Sequence, residues 1–569
     1  MNQTKKRKQQ LVPLVTAGVL AVALLVVIGL RIFASTDAKT GTSDDASVST
    51  TGGVDAPEKA ETPHAVDSTK PENFLRSTAV SVNDEIVDKY EAEDAIAFQE
   101  GAVYTEQAGI LTFRGNNFRD TAAYGTVTME EKSFGARWES GTDSLGAPDG
   151  AVWTGSGWTG QALVIQWSEE TRKNMNLYDS AKEKDGLVEV IYATMDGRVY
   201  FLDLETGKHT RDPINVGYTF KGSGSLDPRG YPILYVGAGY DSYAGDAHAF
   251  IISLIDGSIL YEFGAEDSFA LRELSYFDSS PLVDVETDQL IYPGENGVLY
   301  IMKLNTNYDV EKGTLSIDPD PVIKWRYEGN RSSTESYWLG MEDSAVIWKG
   351  NLFVADNGGH MMCLDLKTLD VVWVQDVLDD TNCSPVLELE DGHPYLYMST
   401  SFHGGWRAGE YESATIPVWK LDAETGEIVW QTDYTCYTAA GVSGGVQGTL
   451  AIGKNNLGDL IFVPVAKTTN STGGGVLAAL DKETGETVWE LETPTDYSWS
   501  SPVVVYDEAG DGYVIYTTFL GYVHLLDGRT GEKLDTISLE GHLEASPVVY
   551  GNTVVVGTRD QKIFGITLQ

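Results

Sequence analysis

From Tyr104 onward the chain is a succession of short apolar runs separated by turn residues, with no stretch at helical period long enough for a core helix. In the run around Tyr200, Leu202 and Leu204, alternate side chains fall on one face of a strand. One phrase closes such runs repeatedly. It reads Phe201-Leu-Asp203-Leu-Glu-Thr-Gly207, Cys363-Leu-Asp365-Leu-Lys-Thr368, Lys420-Leu-Asp422-Ala-Glu-Thr-Gly426, Ala479-Leu-Asp481-Lys-Glu-Thr-Gly485 and Leu525-Leu-Asp527-Gly-Arg-Thr-Gly531. Degenerate copies put Ser253 and Asn305 at the Asp position, so the marks recur every 46 to 60 residues, the period of propeller blades and not of helical solenoids.

The phrase is a hairpin. An Asp side chain can bond nearby backbone N–H groups, and Gly supplies the positive φ that reverses the chain. Eight residues after the Asp stands an aromatic, Trp373, Trp430 or Trp489, with Tyr261 after Ser253, and a new strand starts there. Ahead of each hairpin comes a second recurring element, Asp278-Ser-Ser-Pro281, Cys383-Ser-Pro385, Ser500-Ser-Pro502 and Ala545-Ser-Pro547, each opening an apolar run. Proline is tolerated as the first residue of a strand. The unit is four strands, and seven hairpins are recognisable.

An eighth unit starts at His542 and ends at Gln569 without its outermost strand. Phe134-Gly-Ala-Arg-Trp138-Glu-Ser140 matches the aromatic-bearing strand of the other repeats and precedes them all. The expectation is therefore an all-β, eight-bladed propeller over residues 110–569, closed by this N-terminal strand, with Trp138, Trp373, Trp430 and Trp489 docking between blades. Closure removes exposed edge pairing.

Upstream, Lys5-Lys6-Arg7-Lys8 precedes an uncharged, mostly apolar run from Leu11 to Leu30 and then Arg31. That run can span a bilayer, and the basic cluster before it places the N-terminus in the cytoplasm. The sequence thus predicts a cytoplasmic tail over residues 1–10, an uncleaved single-pass anchor over 11–33 and an extracytoplasmic remainder; a cleaved signal peptide is the alternative. Residues 34–72, rich in Ser, Thr, Asp, Gly and Pro, read as a disordered stalk. Residues 73–109 carry Ile86, Val87, Tyr90, Ile96 and Phe98 at loosely helical spacing, the expectation being a short helical lead-in.

Charge removes one class of partner. The 569 residues carry 84 Asp and Glu against 40 Lys and Arg, a net charge of -44, with no basic stripe for phosphates. Nucleic acid is excluded. Three cysteines make no disulfide framework, although Cys383 and Cys436 precede inner strands of successive repeats and allow one bridge between them.

The hairpin phrase and its tryptophan resemble the Asp-x-x-Thr-Gly-x-x-x-Trp signature of the pyrroloquinoline-quinone-like β-propeller repeat family, over residues 110–569. Thr112-Phe-Arg114-Gly-Asn-Asn-Phe-Arg119-Asp-Thr121 is similar to the lead-in that many members carry before the first blade. That family holds quinone-dependent alcohol dehydrogenases, a propeller lipoprotein of outer-membrane assembly and exported proteins of no assigned activity, so membership implies a fold and leaves function open. The dehydrogenases carry adjacent cysteines over the quinone. This chain has none, which argues against the quinone as cofactor.

No His-Glu-x-x-His, Gly-x-Ser-x-Gly or phosphate-loop motif is present. Gly473-Gly-Gly475 reads as a loop before a strand, and Asp507 with Asp511 as a solvated turn in preference to a cation loop. One constellation remains. With the Ser-Pro strands innermost, Asp278, Glu342, Asp343, Asp380 and Glu544 converge on one channel mouth, joined by Asn382 and Trp499 as ligand-binding candidates. Such oxygens suit calcium, and their field suits a cationic or peptide ligand; the plain alternative is that they cap strand ends in a water-filled channel. The leading function is a non-catalytic, monomeric, membrane-anchored binding or scaffold propeller with a protein or peptide partner. A quinone- and calcium-dependent oxidoreductase and an envelope-assembly factor or sensor are the alternatives.

Overall fold

A computed structural model describes residues 62–569 except 97, 99–100, 332–338, 405–411 and 440–441, with the backbone alone for 442–443. The expected cytoplasmic tail, the anchor and residues 34–61 of the stalk lie outside the described residues. Among the described residues no helix is long and apolar enough to cross a membrane.

Eight antiparallel sheets of four core strands each account for the repeats. Their innermost strands open at Leu163, Ser225, Leu282, Val346, Val386, Ala451, Val503 and Val548, which define blades 1 to 8 in chain order. Blade 8 takes three strands from the C-terminus and its outermost from Phe134–Gly141, in register Gly565↔Trp138 and Ile563↔Ser140. The ring is closed by the strand that the sequence nominated.

The signature residues explain how neighbouring blades dock. Asp203, Asp365, Asp422, Asp481 and Asp527 each accept two backbone N–H groups of their own turn through Oδ1. The turn glycine then lies flat on the preceding blade's tryptophan. A Cβ on Gly426, Gly485 or Gly531 would stand 2.6 Å from the ring of Trp373, Trp430 or Trp489, and one on Gly207 2.3 Å from Trp138. Each indole Nε1 donates to a carbonyl of the next blade, Trp138 to Leu204 at 2.8 Å, Trp373 to Ala423 at 3.0 Å, Trp430 to Lys482 at 2.8 Å and Trp489 to Gly528 at 3.1 Å. Large aromatic area is buried without orphaning the indole N–H.

The Ser-Pro element has a different role, on the inside of the ring. The backbone N–H of Ser280 donates to Ser344 Oγ, Ser344 to Ser384 Oγ, Ser384 to Thr449 Oγ1, Thr449 to Ser501 Oγ and Ser501 to Ser546 Oγ, at 2.8 to 3.2 Å. Ser546 Oγ donates onward to Thr159 O, Ser223 Oγ accepts from Gln161 N, and Ser225 Oγ donates to Pro281 O. A belt of hydroxyls therefore joins every blade to the next, and the proline that follows loses nothing by lacking an N–H there.

Inside the belt runs the segment from Gly109 to Tyr124, which hydrogen-bonds to all eight innermost strands. Gly109–Ile110 pairs with Val164 and Ile165 of blade 1, and Leu111 O accepts from Leu226 N of blade 2. Arg119 reaches blades 3 and 4 through Ser280 O at 2.8 Å and Ala345 O at 3.0 Å. Phe118 O accepts from Leu387 N of blade 5. Arg114 donates to Leu450 O and Pro502 O of blades 6 and 7, and Ala123 lies parallel to Val549 of blade 8. Only the channel axis is within reach of all eight, so this segment is a plug.

Two expectations for the N-terminal part are corrected. The described residues of 73–109 contain no α-helix: Leu75–Val82 and Glu85–Val87 form a hairpin that adds two strands to the outer edge of blade 3, in register Val80↔Trp325. Asn83 and Asp84, at φ 49° and 66°, make the two-residue turn that suits a twisted hairpin; backbone pairing on an open edge overrode the weak helical spacing. Nor is the stalk free up to residue 72, because His64 N donates to Glu424 O and Thr69 Oγ1 to Thr425 O. Cys383 and Cys436 are buried, unbridged thiols, each packed in core, so the bridge between them is not formed.

Arg119→Met strips charged donors from four buried acceptors and should cost about 3–5 kcal/mol in urea unfolding; a loss below about 1 kcal/mol would show that the plug does not tie the blades. Gly485→Ala should cost more than Gly510→Ala. Both have positive φ, but a Cβ on Gly510 meets nothing nearer than 3.7 Å, so the difference measures the tryptophan contact.

Candidate functional site

Among the described residues a cavity of about 250 Å³ lies beside the plug, at the mouth where the innermost strands begin. Residues just before those strands and in the loops joining each second strand to its third build its wall. Glu342, Asp380, Asn382 and Trp499 line it. Asp278 stands behind Lys221, its Oδ2 3.4 Å from the ammonium. Glu544 is drawn to one side, accepting from Trp158 N at 3.1 Å and pairing with Arg559 at 3.2 Å. Asp343 does not line the cavity: its carboxylate turns into blade 4, where Oδ2 accepts from Ala355 N at 3.0 Å. Asp507 is the solvated turn expected, its Oδ1 accepting from Ala509 N and Asp511 N.

The structure adds residues that the sequence reading missed. Lys221 precedes the innermost strand of blade 2 in Lys221-Gly-Ser-Gly-Ser225, where glycine stands at the place that proline marks in blades 3, 5, 7 and 8. Arg272 comes from the loop between blades 2 and 3, and Glu295 and Asn357 from second-to-third-strand turns. The recurring pair Glu295-Asn296-Gly297 and Asp356-Asn357-Gly358 was the available signal, a polar turn one strand removed from the Ser-Pro element.

Lys221 is boxed by its own protein. Its Nζ lies 4.4 Å from the ring centre of Trp158, 5.1 Å from Tyr276, 5.7 Å from Trp153 and 5.9 Å from Tyr240. Burial alone would pull its pKa down, but Asp278, Glu295 and Glu342 together outweigh that and hold it charged. The acids pay in the opposite direction. Burial, opposed by Lys221 and reinforced by Glu342, pushes Asp278 up to about 7. Burial first, then the neighbouring Glu342, raises both Glu295 and Asp380 well above the carboxylate range. Arg272 Nη1 is tied to Glu295 O and Asn357 Oδ1 at 3.0 and 2.7 Å. Asn357 Nδ2 in turn bridges Asp380 at 2.6 Å and Glu342 at 3.2 Å, and Trp158 Nε1 donates to Glu342 at 3.2 Å.

This site does not fit a pyrroloquinoline quinone. The quinone is a tricarboxylic acid, and here Glu295, Glu342 and Asp380 line the cavity with Asp278 behind, against Lys221 and Arg272, both already engaged. Oxygens of Asp278, Glu295 and Glu342 lie within 4.8 Å of one another, but an ion between them competes with the Lys221 ammonium. The lining contains neither serine nor cysteine.

A family model described as outer membrane protein assembly factor BamB matches residues 324–469 and 472–568. The outer membrane protein assembly factor BamB of Kangiella koreensis is 24% identical over 219 residues, 38% of this chain and 48% of that protein. Its counterpart in Legionella pneumophila is 23% identical over 224 residues, 39% and 50% respectively. The chain thus spans about half the length of these curated relatives. Among solved structures, quinohemoprotein alcohol dehydrogenase from Comamonas testosteroni superposes with a TM-score of 0.50 at 13% identity, over 81% of this chain and 80% of that one. The dehydrogenase ADHIIG from Pseudomonas putida HK5 gives 0.51 at 12% identity, with the same coverage. Likeness at that identity concerns the fold.

Between the ordinary aspartate value of 3.8 and about 7, folded Asp278 keeps a proton that the unfolded chain has released. The stability this group contributes is therefore full at acid pH and falls as pH rises through that window. Asp278→Asn should flatten the fall, read as urea midpoints at the acid and neutral ends for both proteins; an unchanged slope would locate its source elsewhere.

Proposed function

We propose, for a chain whose repeats over residues 324–568 belong to the pyrroloquinoline-quinone-like propeller repeat family, that it is a non-catalytic extracytoplasmic binding or scaffold module. It is tethered through residues 11–33 and docks a protein or peptide on the loop face around the channel mouth. The observation that carries this reading is the plug: bonded to all eight blades, it fills the channel axis and leaves a cavity at the mouth where the innermost strands begin. The resemblance to outer membrane protein assembly factors, of whose length this chain spans about half, points in the same direction.

The loop face offers the apolar contacts a partner needs. Tyr243, in the second-to-third-strand loop of blade 2, is 78% exposed, and Leu520, in the same loop of blade 7, is 48% exposed. His64 and Thr69 are bonded to the 422–427 hairpin of blade 5, a third-to-fourth-strand turn. Binding residues carried on loops over a rigid scaffold are the usual arrangement.

A photo-crosslinking amino acid at Tyr243 or Leu520 should trap a discrete protein in intact cells, whereas one at Glu483, on an exposed Asp-x-x-Thr-Gly hairpin, should not. Equal trapping from all three positions, or trapping from Glu483 alone, would refute the assignment of the binding face.

A further inference from the structure

Resting on that reading of the mouth, we infer that the cavity takes a single basic residue of the partner, with its cationic head between Glu342 and Asp380 and its backbone carbonyl accepting from Asn382. Three observations bear on it. Among the described residues, the cations that line the cavity are Lys221, held by Asp278 and its aromatic box, and Arg272, held by Glu295 O and Asn357, while Lys467 stands over Trp499 and Arg559 pairs with Glu544 at its edge. Glu342 and Asp380, from blades 4 and 5, have only the neutral donors of Asn357 and Trp158, and neither has an ion-pair partner among the described residues. A carboxyl pair under one bridging amide attracts a cation with hydrogen-bonding hydrogens of its own.

The second observation is independent of charge. Asn382 lines the cavity and is 9% exposed; its Oδ1 accepts from Ser401 Oγ at 3.2 Å, while its Nδ2 is buried with no partner. A buried donor left unmade costs about 1–3 kcal/mol, so an acceptor arriving with the ligand recovers that cost. Ammonium or guanidinium together with carbonyl is the chemistry of a lysine or arginine residue within a chain, and a bare metal ion or simple amine lacks the acceptor.

Size and shape agree. At the packing density of organic matter, 250 Å³ holds roughly ten non-hydrogen atoms, about one long side chain with its backbone. Trp158, Trp499, Leu274 and Tyr276 provide the apolar wall that a methylene stem requires. His403, which burial pushes down to about 4, adds no competing charge at neutral pH. A hard divalent cation asks for six to eight oxygens, and the carboxyl trio nearest to offering them includes Asp278, which Lys221 covers.

Binding of the cation is expected to release protons. Burial and the neighbouring Glu342 raise Glu295 and Asp380 above the carboxylate range, and a positive head placed beside Asp380 favours the ionised form of such acids.

The experiment is calorimetric titration of the purified protein at near-neutral pH with three probes: acetyl-Gly-Lys-Gly-amide, its norleucine isostere, and calcium chloride. The lysine peptide should bind at least about tenfold more tightly than the norleucine peptide. Its apparent heat should differ between phosphate and Tris in the sense of proton release, and Glu342→Gln should weaken it by about tenfold. Equal affinity for the two peptides, no binding of either, or heat from calcium alone would overturn the inference. The peptide comparison uses the unaltered protein, so a folding defect in the variant does not decide it. Crosslinking from Tyr243 that persists when the lysine peptide fails removes the basic residue and keeps the binding face; loss of both removes the face as well.

Discussion

A ring of eight blades has a problem at its axis, where eight innermost strands end in backbone groups that their own sheets do not satisfy, around a hole too wide for their side chains to fill. Buried N–H and C=O groups must find partners. This protein answers with two concentric devices, a hydroxyl belt that passes from Ser280 through Ser546 and back, and a plug whose Arg114 and Arg119 donate to carbonyls on four blades. Both guanidinium groups are essentially removed from solvent, at 1% and 0% exposure, without a carboxylate in direct hydrogen-bond contact. Their cost is met by carbonyl dipoles arranged around them, a use for which the planar five-donor fork of arginine is suited and a lysine ammonium is not.

The outer ring needs less invention. Each Asp-x-x-Thr-Gly turn is a local structure that forms from its own hydrogen bonds, and the glycine leaves room for the preceding blade's tryptophan. Local turn chemistry and long-range docking thus rest on the same residues, and agreement between levels is what makes a repeat foldable. Blade 8 fits the same logic, since Trp138 meets Gly207 as Trp430 meets Gly485, although Trp138 comes from far upstream.

How much of this could be read beforehand follows from the range of the interactions. The hairpins, the docking tryptophans and the Ser-Pro strands were legible because each is a short phrase repeated at fixed period. Four of the fourteen residues that line the cavity were legible for the same reason: Glu342, Asp380, Asn382 and Trp499 sit at the repeated position before an innermost strand. Lys221 was hidden because glycine stands where the marker proline would be. Asp343 was misplaced because adjacent residues of an extended chain face opposite ways, so the chain could give only one of Glu342 and Asp343 to the cavity. The Leu75–Val82 hairpin was missed because its partner, Val322–Gly329, lies some 240 residues away, and an open edge is visible only once the blade exists.

The cavity inherits its character from the belt beneath it. Four carboxyl groups, Asp278, Glu295, Glu342 and Asp380, are crowded into a space that, among the described residues, Lys221 and Arg272 line as cations, and a flexible loop would relieve that repulsion by moving into water. Here every carboxyl is fixed within a residue or two of a strand end or a blade-to-blade hydrogen bond, so the strain is expressed as raised pKa values and not as displacement. The repulsion is also uneven. Lys221 and Arg272 quench it on the side of blades 2 and 3, which leaves a field that points across the mouth toward blades 4 and 5. An arriving chain therefore meets a direction as well as a charge, and that direction is set by where the lysine of blade 2 is boxed.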